Sequence, residues 1–210
     1  MSHKGRFITL EGSEGAGKST NMDVLCARLS AHEIDFYRTR EPGGTPMAEA
    51  LREVMLGSWT EAVDGLTELL LVFSARNQHV RTEIRPRLER GQWVVCDRFT
   101  DATYAYQGAA RGIPVGYVEQ LEQWVQGDLR PDLTLYLDLD PAIGMQRIAG
   151  RTKDRMEEEK LEFFEAVRAG YLQQASKEAR IRCIDAAQPL AQVEAQLTAH
   201  VDAFLSQLTP

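Results

Sequence analysis

The sequence has few cysteines and no cluster of residues typical of a metal site. Its three cysteines, Cys26, Cys96 and Cys183, are isolated from one another. Their odd number and wide spacing exclude a disulfide framework and a zinc site, and their apolar neighbours predict small buried thiols in a reducing compartment. The four histidines also lack the spacing of metal ligands.

Long apolar runs and an excess of basic charge are also missing. No apolar stretch approaches 18 residues and the N-terminus lacks a signal-peptide pattern, so we expect a cytoplasmic protein with no membrane partner. The 24 basic and 31 acidic residues give a net charge of −7, which argues against nucleic acid as a partner. No repeat or low-complexity linker interrupts the 210 residues, so we expect residues 1–210 to form a single domain.

A glycine-rich motif near the N-terminus is the most informative feature that is present. It matches G-x-x-x-x-G-K-[ST] at every constrained position and reads Gly12-Ser13-Glu14-Gly15-Ala16-Gly17-Lys18-Ser19. A strand-like run at 6–10 precedes it and a helical pattern at 20–29 follows, a setting that a phosphate-binding loop requires and a chance glycine turn lacks. The phosphates of ATP are expected to bind the helix N-terminus and the backbone N–H groups of the segment from Gly12 to Thr20. Lys18 would bridge the β- and γ-phosphates, and the Ser19 hydroxyl would bind Mg²⁺.

Runs typical of strands alternate with helical patterns along the chain. The strand-like runs lie at 6–10, 36–39, 93–96, 133–139 and 181–184, and the helical patterns lie near 45–57, 66–90, 115–127, 141–150, 156–178 and 189–208. This alternation predicts an α/β fold in which helices cover both faces of a five-stranded parallel sheet, making three layers. Ligands bind such folds at the carboxyl ends of the strands, where the glycine loop, Glu41-Pro42 and Asp97-Arg98 fall.

Asp97 and Arg98 directly follow the apolar run at 93–96. An acid in this position commonly supports Mg²⁺ beside a phosphate loop, and a neighbouring arginine can direct its guanidinium at a phosphate. Taken without the loop, the pair could equally be a helix cap and a surface ion pair. With the loop present, we interpret Asp97 and Ser19 as the metal site and Arg98 as a catalytic phosphate clamp.

Six motifs occur in the order found in one enzyme family. They are the glycine loop through Thr20, Thr39-Arg-Glu-Pro-Gly-Gly-Thr45, Phe73-Ser-Ala-Arg76, Asp97-Arg-Phe99, Ala105-Tyr-Gln-Gly108 and Gly127-Asp-Leu-Arg-Pro-Asp132. Together they cover essentially the whole chain, which resembles the bacterial-type thymidylate kinases of the P-loop nucleoside monophosphate kinase superfamily. The resemblance implies transfer of the γ-phosphoryl group of ATP to dTMP, with Mg²⁺ as cofactor, on a P-loop kinase fold with a short lid. It also implies a homodimer.

The same resemblance assigns residues to the acceptor nucleotide. Glu14, although in the glycine loop, would face the 3′-hydroxyl of the acceptor sugar, and Arg98 would hold the acceptor phosphate. The Glu41-Pro42 pair lies in the second family motif and is also expected to contact the substrate.

Four further residues are expected around the thymine base. Arg76 would donate to its edge, Phe73 would stack on it, and Tyr106 and Gln107 would close over the thymidine. Some relatives place the stacking residue one position earlier, where this chain has Val72.

A basic segment after residue 146 resembles the family's lid, at about 147–158. Arg147, Arg151 and Arg155 are spaced by four, so a helix would place them on one face. The glycine loop has no basic residue between its glycines, so Arg151 and Arg155 are expected to meet the charge on the transferring group, and Arg147 to contact ATP. The alternative is a solvated basic helix end that pairs with the three glutamates at 157–159.

Two other classes of function are less consistent with the sequence. A GTPase switch would need an Asn-Lys-x-Asp motif, which is missing. A small kinase acting on another monophosphate or on a nucleoside is the closer rival, although an adenylate kinase would have Gly-x-Pro-Gly in the loop where this chain has Gly-Ser-Glu-Gly.

Overall fold

Five parallel strands form the centre of the structure, a computed structural model that describes residues 5–150 and 154–208. The strands are β1 (Phe7–Gly12), β2 (Phe36–Arg40), β3 (Trp93–Asp97), β4 (Leu133–Asp138) and β5 (Ile181–Asp185), in the spatial order β2-β3-β1-β4-β5. Every neighbouring pair is parallel. The predicted five-stranded parallel sheet of an α/β P-loop kinase fold is therefore confirmed.

Helices connect consecutive strands and cover the sheet. They are α1 (Lys18–Ala31), α2 (Pro46–Leu56), α3 (Gly65–His79), α4 (Arg85–Glu89), α5 (Thr100–Thr103), α6 (Val115–Gln126), α7 (Pro141–Ile148), α8 (Leu161–Lys177) and α9 (Leu190–Ser206). Two π-helical segments, Val80–Ile84 and Tyr104–Ala110, continue α3 and α5. Among the described helices, none is both long and apolar enough to cross a membrane.

Strand β1 shows how the alternation of side chains separates the layers. Ile8 and Leu10 face a core formed with Leu25 of α1 and Leu197 of α9. Phe7 points the other way, into a cluster with the first π-helical segment and α4. Both faces of the strand are buried, as expected for a parallel strand between two helical layers, and its two polar side chains, Thr9 and Glu11, are buried as well.

Three details differ from the sequence-based expectation. Residues 100–110 are helical, although the stretch has no 3.6-residue apolar repeat. The predicted helix at 66–90 contains a π-helical turn, and the helix predicted at 156–178 begins at Leu161. The later start has a local cause, because the carboxylate of Asp154 accepts the backbone N–H groups of Met156 and Glu157 at 2.9 and 3.0 Å and forms a turn. In addition, Cys183 is exposed and Cys26 is only partly buried, so of the three thiols expected to be buried only Cys96 is.

Candidate active site

A cleft of about 630 Å³ opens at the edge of the sheet where β1, β2 and β3 end. Most of the predicted site residues line it, namely Glu14, Gly15, Gly17, Lys18, Ser19, Thr20, Glu41, Pro42, Arg76, Asp97, Arg98, Tyr106, Gln107 and Arg147. Gly12, Ser13 and Ala16 are buried within the glycine loop. The fold thus gathers residues from five of the six motifs at one place.

The glycine loop turns sharply from β1 into α1. Gly15 and Gly17 have φ angles of +73° and +86°, which residues with a side chain rarely adopt. The Lys18 ammonium reaches back over the loop and donates to the carbonyl oxygens of Gly12 and Ser13, both at 3.0 Å. Burial, together with the positive charge of Arg98, lowers the pKa of Lys18. The cation therefore lies at the loop, where phosphates are expected.

Ser19 and Asp97, the two predicted Mg²⁺ ligands, both line the cleft. Within the described residues, the Oδ1 atom of Asp97 is buried and makes no hydrogen bond. Mg²⁺ beside nucleotide phosphates needs only one or two protein oxygens, and it keeps several waters that can donate to such an atom. The two side chains therefore fit the predicted ion. No larger group of metal-ligating side chains occurs in the described part of the chain.

Arg98 is held in a strained backbone conformation, with φ at +67°. Its guanidinium donates to the Tyr106 hydroxyl at 2.8 Å and to the Glu14 carboxylate. Burial opposes its charge, but Tyr106, Glu14 and other neighbours raise the pKa of Arg98 well above its usual value. The Glu11 carboxylate accepts the N–H of Phe99 at 2.7 Å and so fixes the turn after Arg98. The Arg98 guanidinium is therefore held by its own hydrogen bonds and by the fixed backbone turn that follows it.

A buried chain of hydrogen bonds holds Arg76. Its Nε donates to Glu41 at 2.6 Å and its Nη1 donates to the Thr103 hydroxyl at 3.0 Å. The other Glu41 oxygen lies 3.0 Å from Nδ1 of His79, whose Nε2 lies 2.8 Å from the Thr39 hydroxyl. Burial alone would raise the pKa of Glu41, but Arg76 and His79 lower it. Glu41, which the sequence predicts as a substrate contact, uses both carboxylate oxygens to orient Arg76 and His79.

Phe73 lies away from the predicted stacking position. It is 2% exposed and packs with Leu69 and Val118, while Val72 lines the cleft. The side chains of consecutive helical residues point about 100° apart, so a shift of one position separates the cleft from the core. The centre of the Phe73 ring instead lies 4.9 Å from the guanidinium carbon of Arg76, so the ring packs against that side chain.

Arg147 and Arg155 do not share one helix face, because α7 ends at Ile148. Arg147 donates to the carbonyl oxygens of Gly15 at 3.1 Å and of Ala186 at 3.3 Å, and so lies against the phosphate loop. Arg151 lies outside the described residues.

Arg155 donates instead to the Met55 carbonyl oxygen at 2.9 Å and to the Glu68 carboxylate at 2.8 Å. Its guanidinium thus joins the chain after α7 to α2 and α3. The catalytic prediction required Arg155 to lie at the phosphate loop. The structure does not bring it there.

Sequence similarity to known proteins identifies the family. The family model described as thymidylate kinase matches residues 10–197. The chain belongs to the thymidylate kinase family. It is 57% identical over 206 residues to the thymidylate kinase of Pseudomonas savastanoi pv. phaseolicola, covering 97% of this chain and 96% of that one. It is 53% identical over 203 residues to the thymidylate kinase of Teredinibacter turnerae, covering 96% and 99%.

Membership of the thymidylate kinase family confirms three predictions made from the motifs. These are the family itself, a kinase that acts on dTMP, and ATP as phosphoryl donor. The individual residue roles are not tested by the similarity and stay predictions.

The motifs of the thymidylate kinase family omit several residues that hold the site together. Glu11, Glu68 and His79 are all buried and all contact predicted site residues or their neighbouring turns. One signal in the sequence could have found the two acids, because each interrupts an apolar run. Charged side chains are almost never fully buried unless they are partnered.

The phosphate loop of this thymidylate kinase family member packs against α7 through two glycines. A Cβ atom on Gly144 would lie 2.3 Å from the carbonyl oxygen of Glu14, and one on Gly15 would lie 2.4 Å from the carbonyl oxygen of Gly144. We expect Gly144→Ala to displace the loop, to lower the free energy of unfolding by about 1–3 kcal/mol, and to raise KM for ATP by roughly tenfold. Steady-state kinetics and thermal unfolding measure both effects.

Gly116→Ala is the matched control, because a Cβ atom there meets nothing within 4 Å. It should leave KM for ATP unchanged. Equal behaviour of the two variants would contradict the assigned loop–helix contact.

Proposed function

We propose that the protein transfers the γ-phosphoryl group of ATP to the 5′-phosphate of dTMP, with Mg²⁺ as cofactor, and forms ADP and dTDP. One observation carries this proposal: the glycine loop, Arg98 and Arg76 line one cleft. They provide, in order, a site for the donor phosphates, a cation for the acceptor phosphate and a donor for a base edge. The family assignment points to the same reaction.

The chemistry requires an oxygen of the dTMP phosphate to attack the γ-phosphorus while the bond to the β–γ bridging oxygen breaks. When bound, Mg²⁺ supplies positive charge at the phosphates, and Ser19 and Asp97 would hold it. Loop N–H groups and Lys18 hold the donor phosphates and stabilise the charge that moves toward ADP. Arg98 keeps the acceptor phosphate in place, which converts the attack into a reaction between fixed groups.

Glu14 lies on the acceptor side of the loop, since its carboxylate accepts from Arg98. This placement supports the proposed contact between Glu14 and the 3′-hydroxyl of dTMP. The same carboxylate also holds Arg98. The ion pair would therefore contact the sugar of dTMP through Glu14 and its phosphate through Arg98. Tyr106, which also contacts Arg98, would pack along the sugar.

Residues from about 147 to 158 form the proposed lid. Arg147, whose guanidinium lies at the carbonyl of Gly15, would contact ATP. Arg151 is the arginine proposed to meet the charge on the transferring group, because Glu68 and Met55 engage Arg155. The single sheet supports the prediction of one domain over residues 1–210.

Exposed apolar side chains on α2, α3 and α6 support a homodimer. They include Met47, Val54, Leu66, Leu70 and Trp124, the last of which is 73% exposed. The three helices pack in succession, α2 on α3 and α3 on α6, and exposed apolar patches are typical of interfaces between protein chains. Sedimentation at varied concentration would test the homodimer. We also infer a cytoplasmic location, since the isolated cysteines are unpaired, and cell fractionation would test that location.

The experiment that tests the reaction is an assay of ADP release with dTMP, dUMP, dCMP, AMP and GMP as acceptors. We expect dTMP to exceed dCMP in kcat/KM by roughly 10²-fold or more, because a mismatched base leaves buried polar groups unpaired. Equal kcat/KM for dTMP and dCMP would refute the choice of thymidylate while leaving a kinase. Absence of ADP release with every acceptor would refute the kinase as well.

A further inference from the structure

Glu68 on α3 is fully buried and surrounded by hydrogen-bond donors. Its Oε1 accepts from Nε2 of Gln107 at 2.7 Å, and its Oε2 accepts from Nη2 of Arg155 at 2.8 Å and Nη2 of Arg111 at 3.3 Å. The two guanidinium groups compensate the charge of the carboxylate, which would otherwise be costly to bury. Neither the motifs nor the proposed mechanism assigns this residue a role.

The contact with Glu68 decides which way the Gln107 amide points. An ionised carboxylate has acceptor oxygens only, so the amide must turn its NH₂ group toward Glu68. In the part of the chain that the structure describes, Oε1 of Gln107 accepts no hydrogen bond, and the residue lines the cleft. The remaining polar atom of the amide is therefore an acceptor.

Arg76 offers the complementary group in the same cleft. Its Nε and Nη1 are used by Glu41 and Thr103, whereas Nη2 makes no hydrogen bond within the described residues. One oriented acceptor and one oriented donor match the N3–H and the adjacent carbonyl of thymine or uracil. Cytosine presents an unprotonated N3 and an amine instead, so both contacts would be lost.

We propose that Glu68 is a positioning residue for base recognition, which holds the Gln107 amide so that its oxygen accepts from the N3–H of a thymine or uracil base. The inference rests on the proposed function and extends it to the origin of base choice. A glutamine at position 68 would not have the same effect, because an amide can donate or accept. It would allow Gln107 to turn over and present its NH₂ group to cytosine.

The test compares kcat/KM for dTMP and dCMP in the wild type and in Glu68→Gln. We expect the preference for dTMP to fall by at least roughly tenfold, through a lower value for dTMP, a higher value for dCMP, or both. KM for ATP should change little, because the contact lies on the acceptor side. Retention of the full dTMP preference in a folded Glu68→Gln variant would overturn the proposal.

The matched control is Glu159→Gln. Glu159 also pairs with Arg111, at 2.7 Å, and its side chain is 28% exposed. Glu159→Gln therefore removes a carboxylate from Arg111 without altering the contact between Glu68 and Gln107. The control should keep the wild-type preference for dTMP, and an equal loss of preference in both variants would overturn the assignment to Glu68.

A double-mutant cycle shows whether Glu68 acts through Gln107. Gln107→Met keeps the length of the side chain but removes its amide, and it should lower the dTMP preference on its own. Adding Glu68→Gln to Gln107→Met should then change the preference no further. An unchanged preference in Gln107→Met would overturn the proposal even if Glu68→Gln failed to fold.

Failure of this inference differs from failure of the proposed function. If the wild-type enzyme and the Glu68→Gln variant both phosphorylate dTMP selectively, only the positioning role of Glu68 is refuted. A wild-type enzyme without preference for dTMP would refute both that role and the proposed function. Calorimetric binding of dTMP and dCMP without ATP gives a second measure of the same ratio that does not depend on turnover.

Discussion

Replacement of Lys18 by alanine is expected to lower kcat by roughly 10²- to 10³-fold, the usual effect of removing one group that stabilises charge in a transition state. The ammonium lies at the phosphate loop, 3.0 Å from the carbonyl oxygens of both Gly12 and Ser13. Charge on the phosphates increases toward the leaving group during transfer, so the loss should fall mainly on kcat. Steady-state kinetics with dTMP and ATP measure it.

Two further measurements separate catalysis from loop structure. Thermal unfolding should show only a modest change, because the helix and strand on either side of the loop are anchored in the core. Lys177→Ala removes an exposed ammonium at the end of α8 and should retain normal turnover. Near-normal kcat in a stable Lys18→Ala enzyme would reject this residue as the catalytic cation.

Replacement of Arg98 by alanine is expected to act on the other substrate. The guanidinium is positioned by Tyr106, Glu14 and the strained turn after β3. Loss of a charge-assisted contact of this kind costs about 3 kcal/mol, so KM for dTMP should rise on the order of 10²-fold. KM for ATP should change much less, and varying each substrate at saturation of the other separates the two constants.

Arg98→Lys tests whether geometry or charge alone matters. A lysine retains the charge but has no planar fork, so it should restore only part of the affinity for dTMP. A normal KM for dTMP in Arg98→Ala would exclude this residue as the phosphate clamp.

The number of strands and their parallel direction could be predicted because apolar runs and helical patterns alternate along the chain, whereas their spatial order came from the structure. The region at 100–110 could not. Its π-helical segment has a wider turn than an α-helix, so its buried side chains do not repeat every 3.6 residues. Tyr106 and Gln107, which lie there, were found from a motif and not from periodicity.

The parts of the site that contact ligands were predicted more fully than the parts that support them. Lys18, Arg76 and Arg98 lie within short motifs, where local spacing is informative. The partners of Glu68 lie 39 residues away at Gln107 and 87 residues away at Arg155. A single sequence contains no measure of such distant pairings, and for this reason the spacing of Arg147 and Arg155 suggested a shared helix face that the structure does not have.

The contact between Gly15 and Gly144 has an evolutionary consequence. The nucleotide motif and helix α7 lie far apart in the gene, yet neither glycine can acquire a side chain while the other backbone stays where it is. Substitutions at the two positions should therefore be epistatic: a change tolerated at 144 in one lineage would be harmful when transplanted alone into another. Attempts to redesign the nucleotide preference by grafting a different loop should consequently transfer α7 with it.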